Sequence, residues 1–157
     1  MFAKQFFAAL IALAAIVSTA VTTPAVAADG VIVVASANDV KTTMDKLEKV
    51  LTSKGITIFA RIDHAAGANS IGQTLRPMEL LVFGNPKLGT PLMQKDQQMG
   101  LDLPLKALVY EAADGKTFIA YSDPAFLSKR YGVTEPAKVF ETMTGALKNF
   151  TAAAAAK

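Results

Sequence analysis

The spacing of hydrophobic and polar positions changes several times along the chain, and each change marks an element. GVIVVAS, from Gly30 to Ser36, is a short continuous β-branched run that predicts a strand buried on both faces. Ser36-Ala37-Asn38-Asp39 then supplies side-chain oxygens that can accept the free N–H groups of a first helical turn. Val40, Met44, Leu47 and Leu51 recur with helical spacing, Lys41, Asp45, Lys46, Glu48 and Lys49 lie largely off that stripe, and Gly55 offers a left-handed stop. From Ile56 the period falls to two. Ile56, Ile58, Ala60 and Ile62 take one face and Thr57, Phe59 and Arg61 the other, as in a sheet with one covered side.

This strand delivers the chain to Asp63-His64, after which small residues from Ala65 to Gln73 predict a short helix. Met78 to Phe83 reads as the next strand, released by Gly84. Asn85-Pro86 is an N-cap with proline at the first helical position, where its missing N–H costs nothing. Thr90-Pro91 repeats that signal, so two short helices or one helix kinked at Pro91 are both open, with Gly100 as the end. Leu101-Asp102-Leu103-Pro104 is an extended link. Leu105 to Glu111 and Lys116 to Ser122 are two strands joined by an Asp114-Gly115 hairpin turn. Asp123-Pro124 opens a helix through Tyr131, closed by Gly132. Thr134-Glu135-Pro136 opens a last helix carrying Val139, Phe140, Met143, Leu147 and Phe150, and the alanines from Ala152 to Ala156 are expected to fray.

The first segment changes how the rest is counted. Lys4, the apolar run Phe6 to Val21 and the Ala25-x-Ala27 pattern have the order of a signal peptide cleaved after Ala27, with an uncleaved membrane anchor as the alternative. Residues 28–157 are then expected to be one exported domain, periplasmic or secreted, with no membrane contact after cleavage. The chain has 157 residues and no cysteine, so disulfides, a thiol nucleophile and covalent haem attachment are excluded and stability rests on packing. A net charge of +3, spread along the sequence, gives no basic stripe, and nucleic acid is not an expected partner.

Four segments in order, GITIFARIDHAAGA from Gly55, LLVFGNPKLGTPLM from Leu80, LDLPLKALVYEAADGK from Leu101 and SDPAFLSKRYG from Ser122, resemble the domain of unknown function 302 family across about Val33 to Val133. The resemblance implies an α+β fold of β-α-β-β-β-β-α order. Its sheet is curved, mainly antiparallel and similar to that of the TATA-binding protein, with helices on one face, and the assembly is often a homodimer. The family has no generally assigned reaction.

His64, the only histidine, is the first candidate for chemistry, because imidazole binds metals and haem iron and titrates near neutrality. Together with Asp63 it can hold a metal, ligate non-covalent haem across a two-fold axis or shuttle a proton. Alternatively Asp63 caps the following helix and His64 is structural. Asp102 and Lys106 flank the extended link and can orient a polar ligand or form an ion pair; an approach of Asp102 to His64 would favour chemistry. Met93 and Met99 with His64 are the set to examine for copper, while Met44 and Met143 fall in helical apolar stripes. Tyr110 and Tyr121, on facing strands, can line a pocket or pack. Gly84, Gly89 and Gly100 lack phosphate-loop spacing, and no serine has a nucleophile-elbow context. The expectation is a non-enzymatic homodimeric module binding a small ligand near His64. Its rivals are a small enzyme using His64 as general acid or base and a purely structural interaction domain.

Overall fold

The computed structural model describes residues 27–157, so all but the last residue of the expected signal segment lies outside the described residues. In chain order these residues form β1 (Val31–Ser36), α1 (Val40–Ser53), β2 (Thr57–Asp63), α2 (His64–Asn69), β3 (Met78–Gly84) and α3 (Pro86–Lys95). A three-ten turn (Gln97–Leu101), β4 (Leu105–Glu111), β5 (Thr117–Ser122), α4 (Pro124–Tyr131) and α5 (Ala137–Ala155) follow. The strands make one sheet in the order β1-β5-β4-β3-β2, and every neighbouring pair is antiparallel. The expected α+β class is therefore observed.

Short polar side chains start the helices where the sequence places them. Asp39 accepts the Thr42 N–H at 2.6 Å, Asp63 that of Ala66 at 2.8 Å, Asn85 that of Lys87 at 3.0 Å and Asp123 that of Ala125 at 2.9 Å. Asp39 is held below the usual carboxylate range first by its bond from the Thr42 backbone. Of the two arrangements open around Pro91, α3 is one helix that runs through the proline. It stops at Lys95, before Gly100, because Asp96 leaves helical angles and accepts the Gln98 N–H at 2.8 Å to open the three-ten turn.

One face of the sheet is covered. Leu81, Ala107, Val109 and Ile119, all fully buried, pack with Met44, Leu47 and Leu51 of α1 and with Leu147 and Ala154 of α5. Each such leucine contributes about 1.5–3 kcal/mol by leaving water. A second cluster of Leu92, Met99, Leu103, Phe140 and Met143 joins α3, the three-ten turn and the first half of α5.

Three expectations are corrected. β1 is an edge strand paired only with β5, and its residues are half-buried or exposed. Its continuous apolar run arises because Ile32 and Val34 face the core while Val31 and Val33 sit on a sheet face that is also apolar. In β2 the alternation breaks at a bulge between Ile58 and Ala60. Beyond it Arg61, in register with Leu81, turns to the helix-covered face and Ile62 turns away. Arg61 there binds Glu79, Asp45 at 2.7 Å and Glu48 at 3.3 Å, which ties β2 to β3 and α1. Finally, the alanine end is docked: Thr151, Ala154 and Ala155 are buried, Ala37 donates to the Ala155 carbonyl at 2.9 Å, and the Asn38 amide donates to the Ala156 carbonyl at 2.7 Å. Small side chains let this last turn lie close against α1 and β1, so packing holds what exposure would have frayed.

Candidate functional site

His64 is the first residue of α2, where Asp63 ends β2 and turns its carboxylate onto the Ala66 N–H. The imidazole is solvent-exposed. Among the described residues no group of three or more histidine, aspartate and glutamate side chains could hold a metal, and a lone imidazole does not make a multi-ligand site.

Asp102 and Lys106 stand at the other end of the sheet. Lys106 is in register with Val82 and so with Ala60, while Asp63 is in register with Glu79 and Val109. That separates the two pairs by three residues along the strands, about 10 Å at ~3.3 Å per residue, and by two strand spacings across them. The ion pair considered for Asp102 and Lys106 does not form. The Lys106 amine donates at 3.3 Å to the backbone carbonyls of Leu101 and Asp102, closing the three-ten turn. The Asp102 carboxylate instead accepts the Tyr131 hydroxyl at 2.7 Å and lies 3.3 Å from Arg130. It pins the link to the end of α4, and the hydrogen bond that the phenol donates to it, more than its charge, pushes Tyr131 above the usual tyrosine value.

The other candidates also separate. Met99 and Met143 are core residues with Leu103 and Phe140, and Met93 packs against them, so the copper set with His64 is not assembled. Tyr110 pairs with Phe118 while Tyr121 pairs with Ala107, which sends the two tyrosines to opposite faces. Tyr121 is buried and desolvation pushes its phenol up. Tyr110 stacks on Phe118 with ring centres 5.8 Å apart.

Among the described residues an apolar concavity lies elsewhere, between α3, α5 and the ends of β3 and β4. It is a cavity of about 190 Å³. Phe59, Phe83, Leu105, Met93, Met143 and Phe150 form much of its wall, and Asn85 and Thr90 are the lining residues with polar side chains. No charged side chain is among the lining residues. Asn85 is already committed to capping α3 at 3.0 Å. Gly84 and Gly89 matter here for the space they leave: a Cβ on Gly84 would lie 3.3 Å from the Pro104 Cβ, and one on Gly89 3.7 Å from the Met93 methyl. Sequence reasoning missed this site because its wall comes from five segments. The one local signal was Phe59, a large aromatic among the polar positions of β2 that is 53% exposed in the fold.

The architecture is thus an antiparallel five-stranded α+β domain with helices α1 and α5 on one face and an apolar cavity at one end. The chain belongs to the family described as Domain of unknown function DUF302, which matches residues 32–150. It is 39% identical over 118 residues to Fluoride-specific ion channel FluC 1 of Brucella suis biovar 1 (strain 1330), a match covering 74% of this chain and 46% of that protein. The match to FluC 1 of Brucella abortus biovar 1 (strain 9-941) has the same identity and covers 44% of that protein. The chain therefore spans less than half the length of these curated relatives. The crystal structure of an uncharacterized conserved DUF302 protein from Bacillus stearothermophilus is similar with a TM-score of 0.63 at 22% identity, over 82% of this chain and 97% of that one. That likeness concerns the fold alone.

Proposed function

We propose that the chain is an exported, non-enzymatic module that binds a small apolar molecule, and that it works as a homodimer. The cavity between α3 and α5 carries this reading, because its wall offers contact and almost no polar chemistry. Its volume of about 190 Å³ exceeds the roughly 150 Å³ of an engineered apolar cavity that binds benzene, and by proportion it takes about seven or eight heavy atoms. At ~0.8 kcal/mol per buried carbon the gross gain is about 6 kcal/mol. Before the cost of association, this limits affinity to the order of tens of micromolar. The ligand seat thereby moves from His64 to the opposite end of the sheet. Thermal melts test the reading: saturating toluene or cyclohexane raises the melting temperature and benzoate at equal concentration does not. Equal response to all three, or to none, contradicts it.

The sheet face turned away from α1 and α5 supports the homodimer. Val33, Phe118, Leu108, Tyr110, Leu80 and Ile62 lie on it, all half-buried or exposed. Five strands at ~4.8 Å spacing and ~3.3 Å per residue give a flat area of about 480 Å². That is within the range of the largest patches that monomers leave bare and about 60% of the ~800 Å² per partner of a standard interface. Light scattering of the wild type and of Leu108→Lys checks this: a dimer that the charge splits is expected, and a wild-type monomer at high micromolar concentration refutes it.

A second reading draws on the relatives named as fluoride-specific ion channels. The matched segment is less than half of those proteins, so there the domain is joined to further sequence. Among the described residues no helix is long and apolar enough to cross a membrane. The domain would then be a binding module that acts with such a channel, and co-purification with a co-expressed channel tests it.

A further inference from the structure

We propose that the cavity takes a single neutral aromatic ring and that Phe59 closes over it; this rests on reading the cavity as a ligand site and narrows the ligand to a class. Size gives the upper limit of one ring, as the volume shows. The walls give the chemistry. Phe59, Phe83 and Phe150 contribute three rings and Met93 and Met143 two thioethers. Ring–ring and sulfur–ring contacts are directional attractions that an aliphatic guest of the same size does not make. A carboxylate or phosphate in the same space would lose its water and meet no cationic side chain of the lining, so the ring is uncharged.

Phe59 is where the backbone departs from regularity. Ile58 pairs with Phe83 and Ala60 with Val82, so Phe59 is the extra residue of the bulge on an edge strand. Bulges re-aim side chains, and this one leaves a ring that lines the cavity while 53% exposed. Its Cε2 is 3.6 Å from where a Gly84 Cβ would stand. The ring stands at the cavity mouth over Gly84, part in solvent and part against the wall. An exposed ring on an edge strand is held by fewer neighbours than a core ring, so it can move aside for a guest and return over it.

The methionine ε-methyl groups report occupancy by position. In the full chain labelled at those carbons, toluene is expected to move the Met93 and Met143 resonances and to leave in place those of Met44 and Met78, which are outside both the lining and the cluster that Met93 and Met143 share. Methylcyclohexane, with the same seven carbons, should bind about tenfold more weakly and benzoate should move neither signal. Phe59→Ala should weaken toluene binding several-fold with Met44 unchanged. If methylcyclohexane binds as tightly as toluene, the aromatic class is wrong while an apolar ligand site stands. Movement of neither Met93 nor Met143 with either probe, or equal movement of all methyls, removes both. Unaltered toluene binding by Phe59→Ala overturns the closing role.

Discussion

Filling the cavity should stabilise the protein, which is the opposite of what enlarging a packed core residue does. Ala146 lies in α5 between Met143 and Phe150 and lines the cavity. Ala146→Leu adds three carbons where about 190 Å³ stands open. Burying them is worth about 2.4 kcal/mol at ~0.8 kcal/mol per carbon. Ordering the new side chain costs about 0.5–1 kcal/mol. Leucine is nearly as good a helix former as alanine, so propensity changes little. The net gain is about 1.5 kcal/mol, which for a domain of this size is a rise of about 5 °C in melting temperature. Urea unfolding followed by circular dichroism should show a higher midpoint with an unchanged slope, since the same surface is exposed. Toluene should no longer shift that midpoint. Were the space already filled by its own side chains, leucine would overpack it and cost about 1–3 kcal/mol. A lowered midpoint therefore refutes the cavity.

Other consequences can be checked singly. Tyr131→Phe removes the hydroxyl that Asp102 accepts at 2.7 Å, and denaturant melts should register a lower midpoint with ligand response intact. Asn38→Ala removes one of the two donors to the Ala156 carbonyl, the Lys46 amine being the other, and amide hydrogen exchange should become faster over Ala152 to Ala156 than over the middle of α5. Asp45 is held below its ordinary value by its bonds to Lys41 and then Arg61, so its contribution is present above the unfolded value near 4 and is lost as pH falls through the lower folded value. Asp45→Asn should accordingly flatten the acid limb of a stability-versus-pH curve below about pH 4 and leave the neutral-to-alkaline shape unchanged.

Local signals were legible where one residue decides the backbone. Asp39, Asn85 and Asp123 each cap the helix they were expected to cap, and Gly132 ends α4 with φ of 64°. The strands at Leu105 and Met78 were readable for the same reason, being bounded by proline and glycine. What failed needed knowledge of a neighbour. An apolar edge strand such as β1 looks like a central one because the periodicity reports two apolar faces without saying whether both are covered. The bulge at Phe59 adds one residue without any compositional mark and reverses Arg61 and Ile62. Alanines after Phe150 carry no amphipathic contrast, so their burial under Asn38 could not be read locally.

The candidate site shows the same limit. Asp63, His64, Asp102 and Lys106 attracted notice because their side chains are chemically able, yet the antiparallel register sends the first two and the last two to opposite ends of the sheet. Asp63 and Asp102 are occupied by capping and by Tyr131. The cavity is made of ordinary core residue types drawn from β2, β3, α3, β4 and α5, and only tertiary packing distinguishes its wall from the rest of the core.

The most direct test is a crystal of the wild-type protein under xenon pressure, because a dry apolar cavity of this size takes up xenon without any assumption about its natural guest. A xenon atom in contact with Met93, Met143 and Phe83 is the expected result, at lower occupancy in Ala146→Leu crystals treated alike. No xenon there, with these side chains closed on one another, would contradict an open ligand site between α3 and α5.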